Sequence, residues 1–213
     1  MVELLSLPRE IGLKRSPCSS HETFRSYVDK LNGKANLYTS LYSFRDKDAD
    51  APWKYDSSSA IIDRAWWDFD AGERGGIEQV KSEVRTLISR LAGDVRVVAT
   101  GRGFHIHQMH RNLARYQRLM CVGLKTLDGF AFPAKLTRIP DTYNTTRGRY
   151  AVVIPPTALA DDSFKIPNKP QELWKQFCPF FGEPNNSDFD FVLWCSKNPE
   201  AEIELESFKG EIE

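Results

Sequence analysis

The sequence is poor in cysteine. Four stand in 213 residues, Cys18, Cys121, Cys178 and Cys195, widely spaced and with no C-x-x-C pair. That excludes a disulfide framework and suits a reducing compartment, so a cytoplasmic protein is expected. Residues 1–15 mix Glu, Pro, Arg and Lys with apolar residues, which is not a secretory signal pattern. No apolar run reaches the roughly 20 residues of a membrane span, so no membrane partner is expected. Internal repeats and low-complexity segments are missing too. Net charge is zero, which at first argues against a nucleic-acid ligand. The zero conceals an asymmetry. Residues 183–213 carry nine acidic and two basic residues, a net of −7, so residues 1–182 carry +7. A basic body with an acidic tail is compatible with a polyanionic ligand, and equally with a solvated surface plus a charged tail.

What is present is ordinary for a folded domain: 41% hydrophobic and 27% charged residues, in a chain long enough for a full core. The first twenty residues read as irregular, broken by Pro8 and Pro17. Residues 21–31 have helical spacing, with Phe24, Tyr27, Val28 and Leu31 on one face. Residues 35–44 read as strand, 45–59 as a polar loop and 60–71 as strand. Residues 75–94 form the clearest helix, with Ile77, Val80, Val84, Leu87, Ile88 and Leu91 in one stripe. Residues 94–110 read as strand, Gly-rich turn, strand, and 111–127 as a helix with Arg111, Arg115 and Arg118 on one face. An extended segment follows to a strong strand at 150–154. A Pro-rich linker (155–170), a short aromatic helix and a last strand-like element, AEIELESF, complete the chain. The order is that of an α+β or mixed α/β domain.

Three short stretches carry the chemistry. In RAWWDFDAGERGG (64–76), Trp66, Trp67 and Phe69 read as buried strand while Asp68 and Asp70, two residues apart, point to one face. Two carboxylates so close repel each other unless a cation sits between them, and hard oxygen ligands suit Mg²⁺ or Mn²⁺. An exposed strand end before a turn gives the same pattern. In TGRGFHIH (100–107), His105 and His107 share a strand face, and Gly101-Arg102-Gly103 offers backbone N–H groups and a guanidinium to a phosphate. A hairpin turn with two histidines on a wet face fits as well. The pairs His107/His110 and Cys18/His21 are too isolated to make zinc the expected metal. Residues 125–149 hold Lys125, Lys135, Arg138, Arg147 and Arg149 against Asp128 and Asp141, a segment suited to triphosphate or a nucleic-acid backbone, or to plain solvation. Asp128 follows a helix and could bring a third carboxylate to the first two.

Taken in order, an acidic pair on a strand, a helix, a Gly-turn-His strand, a helix, then an Asp and a basic extended segment resembles the catalytic core of the archaeo-eukaryotic primase superfamily. The matching residues are Asp68-Phe69-Asp70, Thr100-Gly101-Arg102-Gly103-Phe104-His105 and Asp128. RIPDTYNTTRGRYAVVIP (138–155) resembles the segment after the third motif. The resemblance covers about 35–156. It implies an α+β catalytic core over 1–156, with an RRM-like sheet and a second αβ subunit packed around a cleft, and a C-terminal extension over 157–213.

The activity the resemblance implies is template-directed nucleotidyl transfer, as in a DNA primase or primase-polymerase. Asp68, Asp70 and Asp128 would hold two Mg²⁺ or Mn²⁺ ions. Thr100, Gly101, Arg102, Gly103, His105, Arg138 and Asn144 would bind the NTP or dNTP. Arg147 and Arg149, with the Arg111/Arg115/Arg118 face, would hold single-stranded template DNA. A helicase or accessory primase subunit is the protein partner implied. The short spacing between Thr100 and His105 is more similar to plasmid or viral members than to cellular primases. Asn144 stands where the replicative small subunits usually carry a second His, and there is no Cys-rich zinc stem. Two other classes use some of the same residues. One is a metal-dependent glycosyltransferase with a D-x-D pair. The other is a non-catalytic RRM-like module that binds single strands on aromatics.

Overall fold

Alternation along the strands decides which residues meet. The computed structural model describes residues 2–7, 14–18, 21–41, 43–44, 60–61, 64–72, 75–109, 117, 120–130 and 136–171. Its elements in chain order are β1 (Val2–Leu7), β2 (Lys14–Cys18), α1 (His21–Leu31), β3 (Asn36–Ser40), β4 (Ser43–Phe44), β5 (Ala60–Ile61) and β6 (Arg64–Asp70). There follow α2 (Gly76–Arg90), β7 (Val95–Ala99), β8 (Gly103–Met109), β9 (Leu127–Phe130), β10 (Leu136–Arg138), β11 (Tyr143–Asn144), β12 (Arg149–Tyr150) and β13 (Val152–Ile154), then a 3-10 turn, Pro156–Ala160. The fold is mixed α/β with antiparallel sheets: one of five strands, β13-β7-β8-β6-β9, one of four, β10-β3-β1-β2, and two short ribbons.

In the five-stranded sheet, Ala65, Trp67 and Phe69 of β6 share a face with Phe104 and Ile106 of β8, because Trp67 pairs with Ile106 and Phe69 with Phe104. Val97, Ala99, Val152 and Ile154 extend that face, and Val80, Val84 and Leu87 of α2 close over it. The helix does so because its apolar residues recur at helical spacing; Ile77, at the edge of the stripe, stays 40% exposed. Burying side chains such as Phe69, Phe104 and Leu87 stabilises the fold by roughly 1.5–3 kcal/mol each relative to leaving them in water. A smaller core joins Phe24 and Val28 of α1 to Ala35, Leu37 and Ile139.

Several expectations shift. Residues 2–7 and 14–18 are paired strands rather than irregular chain, with Pro17 opposite Glu3. Proline is tolerated there because β2 is the edge of its sheet, where one side of the strand makes no ladder bonds. The helix expected over 111–127 is represented by Gln117 and Met120, and a turn at 121–123 ends it before β9. The Pro-rich stretch is no loose linker: Leu159 is buried in the main core, with Phe164 and Ile166 packed against it. Arg85 of α2 holds the stretch through Leu159 O and Asp162. The polar loop 45–59, the aromatic helix after Gln171 and the AEIELESF element lie outside the described residues. No helix among the described residues is long and apolar enough to cross a membrane.

Candidate active site

The opposite face of the five-stranded sheet collects the polar residues. Asp68 pairs with His105 and Asp70 with Gly103, so both carboxylates and the imidazole share that face. Trp66 shares it too. It lies two residues before Asp68, not in the helix-side core, and its ring meets the His105 ring edge-on at 5.1 Å. Val98 of β7 stands opposite His105 and, with Ala151 and Val153, gives this face a small apolar floor.

Strand β10 of the other sheet lies across this face. His105 Nδ1 is 3.0 Å from Thr137 Oγ1 and accepts a hydrogen bond from the Arg138 backbone N–H at 3.3 Å. A backbone N–H can only donate, so the hydrogen-bond network assigns the ring proton to Nε2. That nitrogen faces Asp68 Oδ1 at 3.3 Å. His105 is 6% exposed, so its donor is fixed in direction.

Asp128 arrives by a different device. On β9, Gly129 pairs with Asp68 but Leu127 pairs with Phe69, leaving Asp128 as the extra residue of a β-bulge. It is exposed and near enough to act electrostatically on Asp70. The Asp70 carboxyl is pushed above its ordinary range, first by burial. Asp68 and Asp128 add to the rise, and Arg102 and Arg147 oppose it. Arg102 Nε lies 2.5 Å from Asp70 Oδ1, a charge contact not aligned as a hydrogen bond.

The turn between β7 and β8 is closed by Thr100 N–H to Gly103 O at 2.9 Å and by Gly103 N–H to Thr100 Oγ1 at 3.2 Å. The Gly103 N–H is therefore engaged inside the turn rather than turned to a ligand. Both glycines are demanded by space. Gly101 has φ +97°, and a Cβ there would sit 3.0 Å from Arg149 Cγ. A Cβ on Gly103 would fall 1.7 Å from Phe69 O. Arg147 and Arg149 thus pass over the turn that presents Arg102, and the charges of Arg102 and Arg147 reach Asp70.

Arg138 is 2% exposed. Its Nη2 donates to Tyr143 O at 2.9 Å and to Asn36 Oδ1 at 3.3 Å, and its guanidinium carbon lies 5.1 Å from the Tyr38 ring centroid. Nε and Nη1 are sealed from solvent without a hydrogen-bond partner among the described residues. Burial lowers its pKa, with Tyr38 opposing. Asn144 spends its side chain locally. Nδ2 donates to Thr100 O at 3.2 Å, and Oδ1 accepts from Thr146 and Arg147 N–H, both at 3.1 Å. It ties the arginine-bearing hairpin to the Gly-rich turn. Arg111, Arg115 and Arg118 lie outside the described residues, as does His110. His107 is buried on the same face as His105, and burial lowers its pKa well below the usual range, with Arg64, His105 and Arg96 adding.

Sequence reasoning missed Thr137, which fixes His105, and two asparagines, Asn32 after α1 and Asn36 at the start of β3, that hold the 143–145 segment. Asn36 Oδ1 accepts from Thr145 N–H at 2.9 Å, and Asn32 Oδ1 accepts from Tyr143 N–H at 2.8 Å. Asn32 gives no local signal of this role, since its partner lies 111 residues away in the sequence.

The donor set suits a hard divalent cation: oxygen ligands on one face, with repulsion that a cation would relieve. As they stand, no three metal-ligating side chains among the described residues converge on one point. Arg102 holds the place of a counter-charge at Asp70.

These features define a carboxylate site on the open face of an antiparallel sheet, flanked by arginines and a directed imidazole. A scan against family models gives no match, and no curated protein matches. Among solved structures the chain is similar to the AEP domain of the cyanophage S-2L primase-polymerase. The identity is 12%, the similarity covers 75% of this chain and 86% of that one, and the TM-score is 0.45. It is also similar to the polymerase domain of Mycobacterium tuberculosis Ligase D in complex with DNA, at 12% identity over 82% of this chain and 68% of that one, TM-score 0.43. The chemistry of the site rests on this chain's own residues.

Proposed function

We propose that this chain is the catalytic domain of a DNA primase or primase-polymerase. It would transfer a nucleotide from an NTP or dNTP to a 3′-hydroxyl on single-stranded template DNA. The observation that carries the reading is a juxtaposition. Asp68 pairs with His105 and Asp70 with Gly103 across β6 and β8, and Asp128, the extra residue of a bulge on the neighbouring strand β9, is near enough to act electrostatically on Asp70. In this reading the five-stranded sheet is the RRM-like half of the core and the four-stranded sheet belongs to the second αβ half. The cleft runs between them.

Asp68, Asp70 and Asp128 would hold two Mg²⁺ or Mn²⁺ ions. Bound there, such cations supply acidification of the attacking hydroxyl and neutralisation of the leaving group. The protein's own groups position the reactants. Arg102 exchanges Asp70 for the triphosphate once the carboxylates are neutralised. His105 Nε2–H, held by Thr137 and the Arg138 backbone, donates to a phosphate oxygen. Arg138, a buried cation with unused donors, adds positive potential behind it. Thr100, Gly101 and Gly103 shape the turn that presents Arg102, and Asn144 fixes the hairpin against it. The 3′-hydroxyl gives up its proton to solvent, its oxygen bonds to the α-phosphorus, the bond from that phosphorus to the bridging oxygen breaks, and pyrophosphate leaves. Arg147 and Arg149, with the Arg111, Arg115 and Arg118 face, hold the DNA backbone, which fixes position without reading sequence. A helicase or accessory primase subunit would be the natural partner, in a cytoplasmic setting that includes plasmids and viruses.

The test is nucleotide incorporation on single-stranded DNA. Primed and unprimed templates, NTPs and dNTPs, and Mn²⁺ and Mg²⁺ are compared, with Asp70→Ala as control. Metal-dependent product lost in the variant is expected, with DNA affinity falling steeply as salt rises. DNA binding that ignores divalent metal, with no product, would point to a binding module. Turnover of nucleotide sugars without DNA would point to a glycosyltransferase.

A further inference from the structure

Helix α2 lies on the apolar face of the five-stranded sheet, away from the carboxylates. One of its residues nevertheless reaches the strand that carries Asp128. Glu83 Oε2 accepts three hydrogen bonds, from Lys125 N–H at 2.8 Å, Thr126 N–H at 2.7 Å and Thr126 Oγ1 at 2.7 Å. Its other oxygen accepts from Gln79 Nε2 at 3.2 Å. Thr126 is 1% exposed, and β9 begins at the next residue.

A residue in regular pairing has its direction set by the ladder. A bulged residue does not, because it opposes nothing, and its direction follows from where the strand enters and leaves the bulge. Asp128 is such a residue: the pairing with β6 resumes at Gly129, and the strand enters through Leu127 directly after Thr126. The entry point is therefore fixed by Glu83. Charge-assisted hydrogen bonds to a carboxylate are among the stronger ones available, and three of them converge on a single oxygen.

We infer that Glu83 is a positioning residue for the catalytic site, a carboxylate strut that sets the Thr126–Asp128 entry to β9 and through it the place of the third acidic ligand. The inference rests on the metal-site reading above. Glu83 touches neither metal nor nucleotide; it acts through the backbone of the neighbouring turn. Partners bonded to a ligand itself typically change metal affinity by about 10–100-fold when lost; Glu83 bonds the chain two residues ahead of Asp128, so the low end of that range is expected.

The experiment measures Mn²⁺ binding to the full chain without nucleotide, by electron paramagnetic resonance of free Mn²⁺, alongside thermal unfolding. Asp70→Ala, Glu83→Ala, Glu83→Gln, Thr126→Val and Arg85→Ala are compared with the wild type. Glu83→Ala is expected to weaken Mn²⁺ binding about 10-fold. Glu83→Gln, which keeps an acceptor oxygen, should recover part of that loss, and Thr126→Val should cause a smaller one. Arg85→Ala breaks another tie from the same helix, to Leu159 O and Asp162, and should lower stability while leaving Mn²⁺ affinity at the wild-type value. If Glu83→Ala binds Mn²⁺ like the wild type, or Arg85→Ala weakens binding as much, the strut is wrong. Should Glu83→Ala not fold, the Gln and Val variants carry the same comparison. A wild type that binds no Mn²⁺, indistinguishable from Asp70→Ala, would overturn the metal-site reading and the strut with it.

Discussion

On β6, Ala65, Trp67 and Phe69 turn toward helix α2, whereas Trp66, Asp68 and Asp70 turn away from it. The first set is sealed in the main core. The second meets His105, the Gly-rich turn and strand β10. The two faces belong to the same seven residues, so neither composition nor propensity separates them. What separates them is the covering. An amphipathic helix covers one face with apolar side chains. The other receives strands and loops whose polar groups need partners, and there the structure spends its hydrogen bonds on direction rather than on burial. The same contrast holds for two carboxylates. Burial and its acidic neighbours push Asp70 up from its ordinary range. Hydrogen bonds from Thr126, Gln79 and Lys125 outweigh burial and pull Glu83 down. One sits where burial and acidic neighbours disfavour negative charge, the other where hydrogen-bond donors already stabilise it.

The sharpest way to break this comparison is to substitute neighbours on opposite faces. Asp70→Ala is expected to remove metal-dependent nucleotide incorporation by about 10³-fold or more, with an unfolding midpoint at or above the wild-type value. Phe69→Ala, one residue away, should instead cost about 3–5 kcal/mol of stability, read as a lowered urea midpoint. Gly103→Ala strikes both faces. Its Cβ would fall on the Phe69 carbonyl, backbone that cannot swing aside, so β6 and β8 must part. We expect a loss of about 1–3 kcal/mol together with activity, and a full-strength, wild-type-stable Gly103→Ala enzyme would show the close approach to be unimportant.

The pH dependence gives the smallest effect and the finest distinction. A carboxyl raised by folding binds its proton more tightly in the folded state, so Asp70 weakens the fold as pH rises from roughly 4 through the raised value. Asp70→Asn should therefore gain stability over the wild type toward neutral pH and lose the advantage in acid. Glu83 has the opposite sign. Its lowered pKa contributes stability above roughly pH 4.3 that is lost as pH falls through the folded value. Glu83→Ala should fall below the wild type at pH 7 and converge with it in acid. Urea midpoints across pH 3–7 check both; parallel curves for the two variants would remove the contrast.

Much of this was legible from the chain alone. Helical periodicity placed α1 and α2, and alternation in RAWWDFD put Asp68 and Asp70 on one face, because both periods are local properties of the backbone. Trp66, read with Trp67 and Phe69 as core-packing strand, is buried on the carboxylate face instead, against the His105 ring, because strict alternation separates it from Trp67. Pro17 misled because a proline's meaning depends on whether its strand is an edge, which only the sheet order decides.

By itself, then, the sequence determined α1, α2, the strands around the acidic pair and the face on which that pair stands, all consequences of local backbone periodicity. Only the tertiary structure decided that Thr137 and the Arg138 backbone orient His105, that Asn144 is spent on tying a hairpin, and that Asp128 enters through a bulge held by Glu83. Those are contacts between residues tens of positions apart. Their geometry is set by strand order, register and the packing of one sheet on another, and no local pattern encodes it.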